Sequence, residues 1–177
     1  MQDADLFIGL AGIAGVFVGF GALMAVRSGG PSEALEVAPM RMVVFLGMMA
    51  VVAALAPVTL ARYGPTGHQV WALSSAVVVL GWLVMFVVNA RTPEWREGWA
   101  TSTAPARAGR LGAFGALEWV VFVFLMLASV LTPIVILLGL APDLEAALYF
   151  TAVVLILLGA GWGLLGLVYM PRRPAGA

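Results

Sequence analysis

The stretch WVVFVFLMLASVLTPIVILLGL, Trp119 to Leu140, runs for 22 residues without a charge. A helix needs about 20 apolar residues to cross the roughly 30 Å hydrocarbon core of a bilayer, so this stretch reads as a spanning helix. Four further runs meet the same requirement: Leu6 to Val26, Met42 to Leu60, Val70 to Val88 and Ala146 to Met170. An outer-membrane barrel would instead show weakly alternating segments of about 10 residues, and these runs are continuous. The expected fold class is all-α, a single five-helix membrane domain over residues 1–177.

Composition points the same way. With 63% apolar and 10% charged residues among 177, the chain has too little polar surface to coat a soluble globule of its size. The first run is preceded by Asp3 and Asp5 rather than by the basic residues of a secretory signal, so it is expected to stay on the protein. The lack of Cys excludes disulfides, thiolate metal sites and Cys nucleophiles. A net charge of zero makes no case for a nucleic-acid partner.

Assigning the loops alternately puts Arg27, Arg41, Arg91, Arg96, Arg107, Arg110, Arg172 and Arg173 on one side of the membrane and Arg62 alone on the other. By the positive-inside rule the Arg-rich side is cytoplasmic, so a plasma-membrane protein with its N-terminus outside and its C-terminus inside is expected. Asp3, Asp5, Asp143 and Glu145 then sit outside. A four-span or six-span count would scatter the Arg residues over both faces. The absence of Lys is read as a codon bias that also enriches Ala, Gly, Val and Pro, rather than as selection for guanidinium contacts with lipid phosphate.

The longest inside loop, Arg91 to Gly115, opens with Thr92, Pro93 and Glu94, which suit the cap, first position and first-turn acid of a short helix. Trp95 and Trp99 would share a face of it, and with Arg96, Arg107 and Arg110 they are expected to lie at the lipid headgroups. TSTAPARAG, following it, reads as linker. Glu118, at the inner start of the fourth span, suits a helix N-terminus and could pair with Arg110.

Small residues let spanning helices approach closely where lipid offers no hydrophobic drive. In the first span Ala11, Gly15, Gly19 and Ala22 share a face; in the fifth Gly159 and Gly163 are continued by Gly166. Both spans run in the same direction, so parallel packing of the two Gly faces is expected, with a homodimer through one of them as the competing arrangement. A repeat is also visible. VVFLGMMAVVAALAPV from Val43 resembles VVFVFLMLASVLTPIV from Val120, 77 residues on, with Pro57 answering Pro133 after a one-residue gap. Farther along, Gly81 and Trp82 answer Gly161 and Trp162, and Arg91 answers Arg172. Two helical hairpins related by an axis along the membrane normal would produce this pattern.

The spans hold no Asp, Lys or Arg at mid-depth, which argues against a proton relay, a voltage sensor or a charge-coupled pump. His68, at the outer mouth of the third span, has no second ligand at helical spacing, so neither a metal site nor a cofactor is expected. No HExxH, GxSxG or P-loop pattern is present, and no residue is nominated as catalytic.

What remains is a layer of hydroxyls and prolines in the outer half: Pro57, Thr59, Ser74, Ser75, Ser129, Thr132, Pro133, Tyr149 and Thr151. Proline has no N–H, so Pro57 frees the carbonyl of Ala53 and Pro133 that of Ser129. Lipid supplies no donor, so each freed carbonyl must find a neighbour, a water or a ligand. Two readings follow. In one, these residues line a pore or pocket of an oligomeric channel or transporter for a neutral or weakly charged small solute. In the other, the hydroxyls satisfy carbonyls one turn back, the prolines merely bend their helices, and the protein is a non-catalytic accessory or structural subunit that packs on a membrane partner through its Gly faces. Convergence of the hydroxyls on one cavity would favour the first.

Overall fold

Gly139 shows how the chain turns between two of its helices. At φ 64° it adopts the left-handed conformation that only glycine takes without strain. Its N–H bonds the Ile136 carbonyl at 2.9 Å and that of Leu140 bonds Val135 at 3.2 Å, the paired closure of a Schellman motif. Pro142 then opens a single 3-10 turn, Pro142–Leu144, directly before the next helix.

The computed structural model describes residues 4–27, 34–92 and 113–169, and side-chain surroundings over 4–23, 41–92 and 120–165. The helices are α1 (Ala4–Arg27), α2 (Ala34–Leu60), α3 (His68–Arg91), α4 (Ala113–Leu137) and α5 (Glu145–Tyr169). All five are long and apolar enough to cross a membrane, and no strand occurs among the described residues. The chain is an all-α, multi-pass membrane protein. Helices α2 and α4 begin well before the apolar runs that mark them, Met42 and Trp119, because a bilayer limits the apolar stretch and not the helix.

Helices α2, α3, α4 and α5 form a ring of antiparallel neighbours, and α1 lies outside it against α2, also touching α5. Along the first pairing, Gly21 faces Val43 and Val44, while Gly47 faces Ala14 and Val18. A Cβ on Gly47 would sit 2.7 Å from Val18 and 3.4 Å from its backbone nitrogen, so glycine is what lets α1 seat. At the other end Phe7 stacks on Trp71, Tyr149 and Phe150, with ring centroids 6.0–6.1 Å apart. Leu46, Ala53, Val78, Ile136, Val153 and Ile156 fill the middle of the ring.

The expected Gly-on-Gly contact between the first and fifth spans is corrected. Helices α1 and α5 are parallel and touch, but they do so through Phe7 and Phe17, the latter lying over Gly161. Gly15 and Gly19 face open space, with nothing within 4 Å of a Cβ built on either. On α5, Gly159 lies under Met126 of α4, and Gly163 meets Val43 of α2. The physical reason is size matching: α1 offers Ala14 and Gly21 to α2, and α5 uses its own glycines to admit side chains from α2 and α4. Gly166 is in α5, but its packing lies outside the described residues, as do Trp95, Trp99, Arg107 and Arg110. Thr92 serves the end of α3, its N–H and hydroxyl both reaching the Asn89 carbonyl.

The two hairpins share a contact. Met49 of α2 covers Gly81 of α3 and, 77 and 78 residues on, Met126 of α4 covers Gly159 of α5. The glycine that answers Gly81 is therefore Gly159; Gly161, which the sequence pairs with it, faces α1 instead.

Candidate functional site

The site is the proline and hydroxyl layer at the end of the bundle where α3 and α5 begin. Its best-determined element is the Ala53 carbonyl that Pro57 leaves without a helical donor. The Tyr149 hydroxyl of α5 donates to it at 2.7 Å, fully buried. The Tyr149 ring is held against Trp71 at 5.7 Å and against Phe7 at 6.1 Å, so the donor is fixed by rings from two other helices. A neighbour, rather than water or solute, satisfies the first proline.

Around Pro133 the bonding is local. Ser129 Oγ donates to the Met126 carbonyl and Thr132 Oγ1 to that of Ala128, both at 2.8 Å. Thr151 Oγ1 likewise bonds the Ala147 carbonyl at 2.8 Å, on the exposed side of α5. Thr59 is exposed on α2. These side chains therefore do not converge: three hydroxyls bond their own helix one turn back, and Thr59 and Thr151, the two Ser or Thr positions on α2 and α5, face outward.

Ser74 and Ser75 differ. Both are fully buried on α3 and neither hydroxyl has a hydrogen-bond partner; the buried Trp82 Nε1, farther along the same helix, has none either. Ser74 lies beside the Tyr149 phenol without closing a well-formed bond to it. The structure thus gathers Pro57, Ser74 and Tyr149 around the Ala53 carbonyl. An uncompensated buried hydroxyl costs about 1–3 kcal/mol, so the Ser74 and Ser75 hydroxyls are the polar groups in this layer with capacity to spare.

One pair escapes the sequence reading. His68 Nδ1 and the Glu145 carboxylate form a hydrogen bond that joins the first residue of α3 to the first residue of α5. Glu145 is buried and His68 about half exposed. The carboxylate also lies at a helix N-terminus, where the peptide dipoles favour negative charge. The available signal was their separation of 77 residues, the same as that between the repeated segments. Among the described residues no third His, Cys, Asp or Glu joins them in a group that could hold a metal.

A groove borders this layer without reaching its hydroxyls. About 320 Å³ opens between α2 and α3 at mid-depth, lined by Phe45, Met48, Ala53, Val77, Gly81 and Val84 among others, almost wholly apolar and open to the surroundings of the helices. It contains none of the hydroxyls.

Fold and site together define a multi-pass helical membrane protein whose interior polar groups are mostly tied within and between its own helices. Comparison with protein-family models, with curated proteins and with solved structures finds no match to this chain.

Proposed function

We propose that the protein is a non-catalytic accessory or structural subunit of the plasma membrane, with its Arg-rich ends cytoplasmic, that works by presenting helix faces to another membrane protein. One observation carries this reading: the hydroxyls of Ser129, Thr132 and Thr151 bond the preceding turn of their own helices and the first proline's carbonyl is taken by Tyr149, so most of the layer that could have lined a pathway is already engaged within the protein. A Cβ built on Gly12, Gly15 or Gly19 of α1 would meanwhile meet nothing within 4 Å among the described residues, which leaves a surface where a partner backbone could approach closely.

A transport reading keeps one support, the unpartnered hydroxyls of Ser74 and Ser75, which would suit a small neutral solute. Flux of ions and small solutes into liposomes containing the purified protein separates the two. Background-level flux is expected for the wild type, and Ser129→Ala, Thr132→Val and Ser75→Ala should leave it there. Flux above background that falls in Ser75→Ala would replace the accessory reading with transport.

A further inference from the structure

We infer that the protein self-associates in the membrane by seating the outer face of α1 on helix α4 of a second copy, in the place that α1 occupies on α2 within its own chain. This rests on the accessory reading and names its partner.

Val43 to Pro57 and Val120 to Pro133 carry related sequences, and the Met49–Gly81 contact of the first hairpin recurs as Met126–Gly159 in the second. In the ring the order of neighbours is the same from either hairpin: α2 lies between α3 and α5, and α4 lies between α5 and α3. A half-turn about the bundle axis therefore carries one hairpin onto the other. It also carries the α2 and α5 flank, which α1 covers, onto the flank of α4 and α3.

That second flank is bare. Along α2 the positions Val43, Gly47, Ala50 and Ala54 are buried. Their counterparts 77 residues on, Val120, Phe124, Leu127 and Leu131, are 57–67% exposed. The neighbouring helix agrees: Gly161 of α5 lies under Phe17 of α1, whereas its counterpart on α3, Leu83, is 58% exposed. Among the described residues a single helix is thus supplied for two equivalent places.

Side-chain size then selects the occupant. Where α2 is small and receives α1, α4 carries a ridge of Val120, Phe124, Leu127 and Leu131, at the spacing that puts them on one helix face. A ridge needs a furrow. The outer side of α1 is one, since Gly12, Gly15 and Gly19 all open onto empty space. The depths also match. With Gly21 level with Val43 and Gly47 level with Ala14 and Val18, the 77-residue shift sets Gly19, Gly15 and Gly12 level with Phe122, Met126 and Ser129. Those levels fall between successive ridge residues, so the ridge side chains enter the furrow beside the glycines. Direction fits as well. Helix α1 runs antiparallel to α2 and hence to α4, which is the relation that two copies inserted the same way would present.

The contact joins two different faces of the molecule, so each copy offers one α1 furrow and one α4 ridge, and association continues into a ring or a row instead of stopping at a symmetric dimer. A dimer of α1 on α1 would leave both α4 ridges uncovered.

Because the chain has no Cys, single-cysteine variants report this directly. Two differently tagged copies, one Gly15→Cys and one Leu127→Cys, are co-expressed and oxidised in the native membrane. A disulfide-linked heterodimer is expected from the pair and none from either variant alone. A Gly15→Cys homodimer would overturn the proposal in favour of α1 on α1. A cross-link from Gly15→Cys to a different protein would overturn self-association while leaving the accessory reading standing. Absence of any cross-link from either position would overturn both. Gly15→Leu gives an independent measurement. Its side chain enters space that is empty within the monomer, so helix content and melting should hold, while association measured by subunit counting in liposomes weakens at least about tenfold, the effect of some 1.4 kcal/mol of overpacking at the contact. Unchanged association in Gly15→Leu would also refute it.

Discussion

The first and second hairpins place a proline at matching depth and handle it differently. Beside Pro57 the freed carbonyl is met across the bundle by Tyr149, a residue 96 positions away in sequence, whereas around Pro133 the nearby hydroxyls of Ser129 and Thr132 bond their own helix. The flanks differ in the same sense. On α2, Gly47 admits α1, while α4 carries an exposed phenylalanine and leucines that no helix among the described residues covers. A common hairpin becomes a docking surface or a bare ridge according to the size of a few side chains. It becomes cross-braced or self-contained according to whether a donor lies opposite its proline.

The strongest way to break this comparison is to fill the groove that receives α1. Gly47→Leu should destabilise the fold by about 3 kcal/mol, since backbone as well as side-chain atoms of α1 crowd the new group, whereas Phe124→Ala at the equivalent place on α4 should change the stability of the isolated chain by less than about 0.5 kcal/mol. Reversible unfolding in mixed micelles measures both, and similar losses would mean that the flanks are not distinguished by α1.

Removing the cross-brace comes next. Tyr149→Phe leaves the Ala53 carbonyl buried without a donor and should cost about 1–2 kcal/mol. Thr132→Val removes a bond to a carbonyl that the helix also serves, and should cost under about 0.5 kcal/mol. A loss in Thr132→Val as large as that in Tyr149→Phe would show the second proline to be braced by its hydroxyls too. Smaller again is the pair that ties the hairpins at their turn ends. A double-mutant cycle on His68→Ala and Glu145→Ala should give a coupling of about 1 kcal/mol, reduced for the exposure of the imidazole. Coupling indistinguishable from zero would remove the pair as a link between α3 and α5. The smallest effect has the opposite sign: Ser75→Ala should stabilise by about 0.5 kcal/mol, because its hydroxyl is buried with no partner. Destabilisation would reveal that something does bond it.

Much of the fold was legible in advance. The apolar runs marked all five helices, and Pro57 and Pro133 announced which carbonyls would lose their helical donors. The sequence also brought Tyr149 to the right depth, but not to Ala53, because a hydrogen bond between α5 and α2 depends on how the helices are rotated about their axes. The same limit explains the glycines. Gly15 and Gly19 on α1 look identical in spacing to Gly159 and Gly163 on α5, yet the first pair opens outward and the second is covered. The His68–Glu145 pair stayed hidden because each residue, alone at a helix start, reads as an ordinary loop-side polar group.

By itself the sequence determined that the chain crosses a membrane with five helices. Length and apolarity settle that, since backbone hydrogen bonds must close within each segment where no water is present. Which face of each helix meets which neighbour was decided only in the tertiary structure. A soluble helix advertises its buried face by the contrast of apolar against polar residues, but a helix in lipid is apolar all round, so its inward face is selected by shape. Phe7 closing on Trp71 and Tyr149, Gly47 admitting Val18 and Met126 lying over Gly159 are choices of fit, and fit exists only once both surfaces are present.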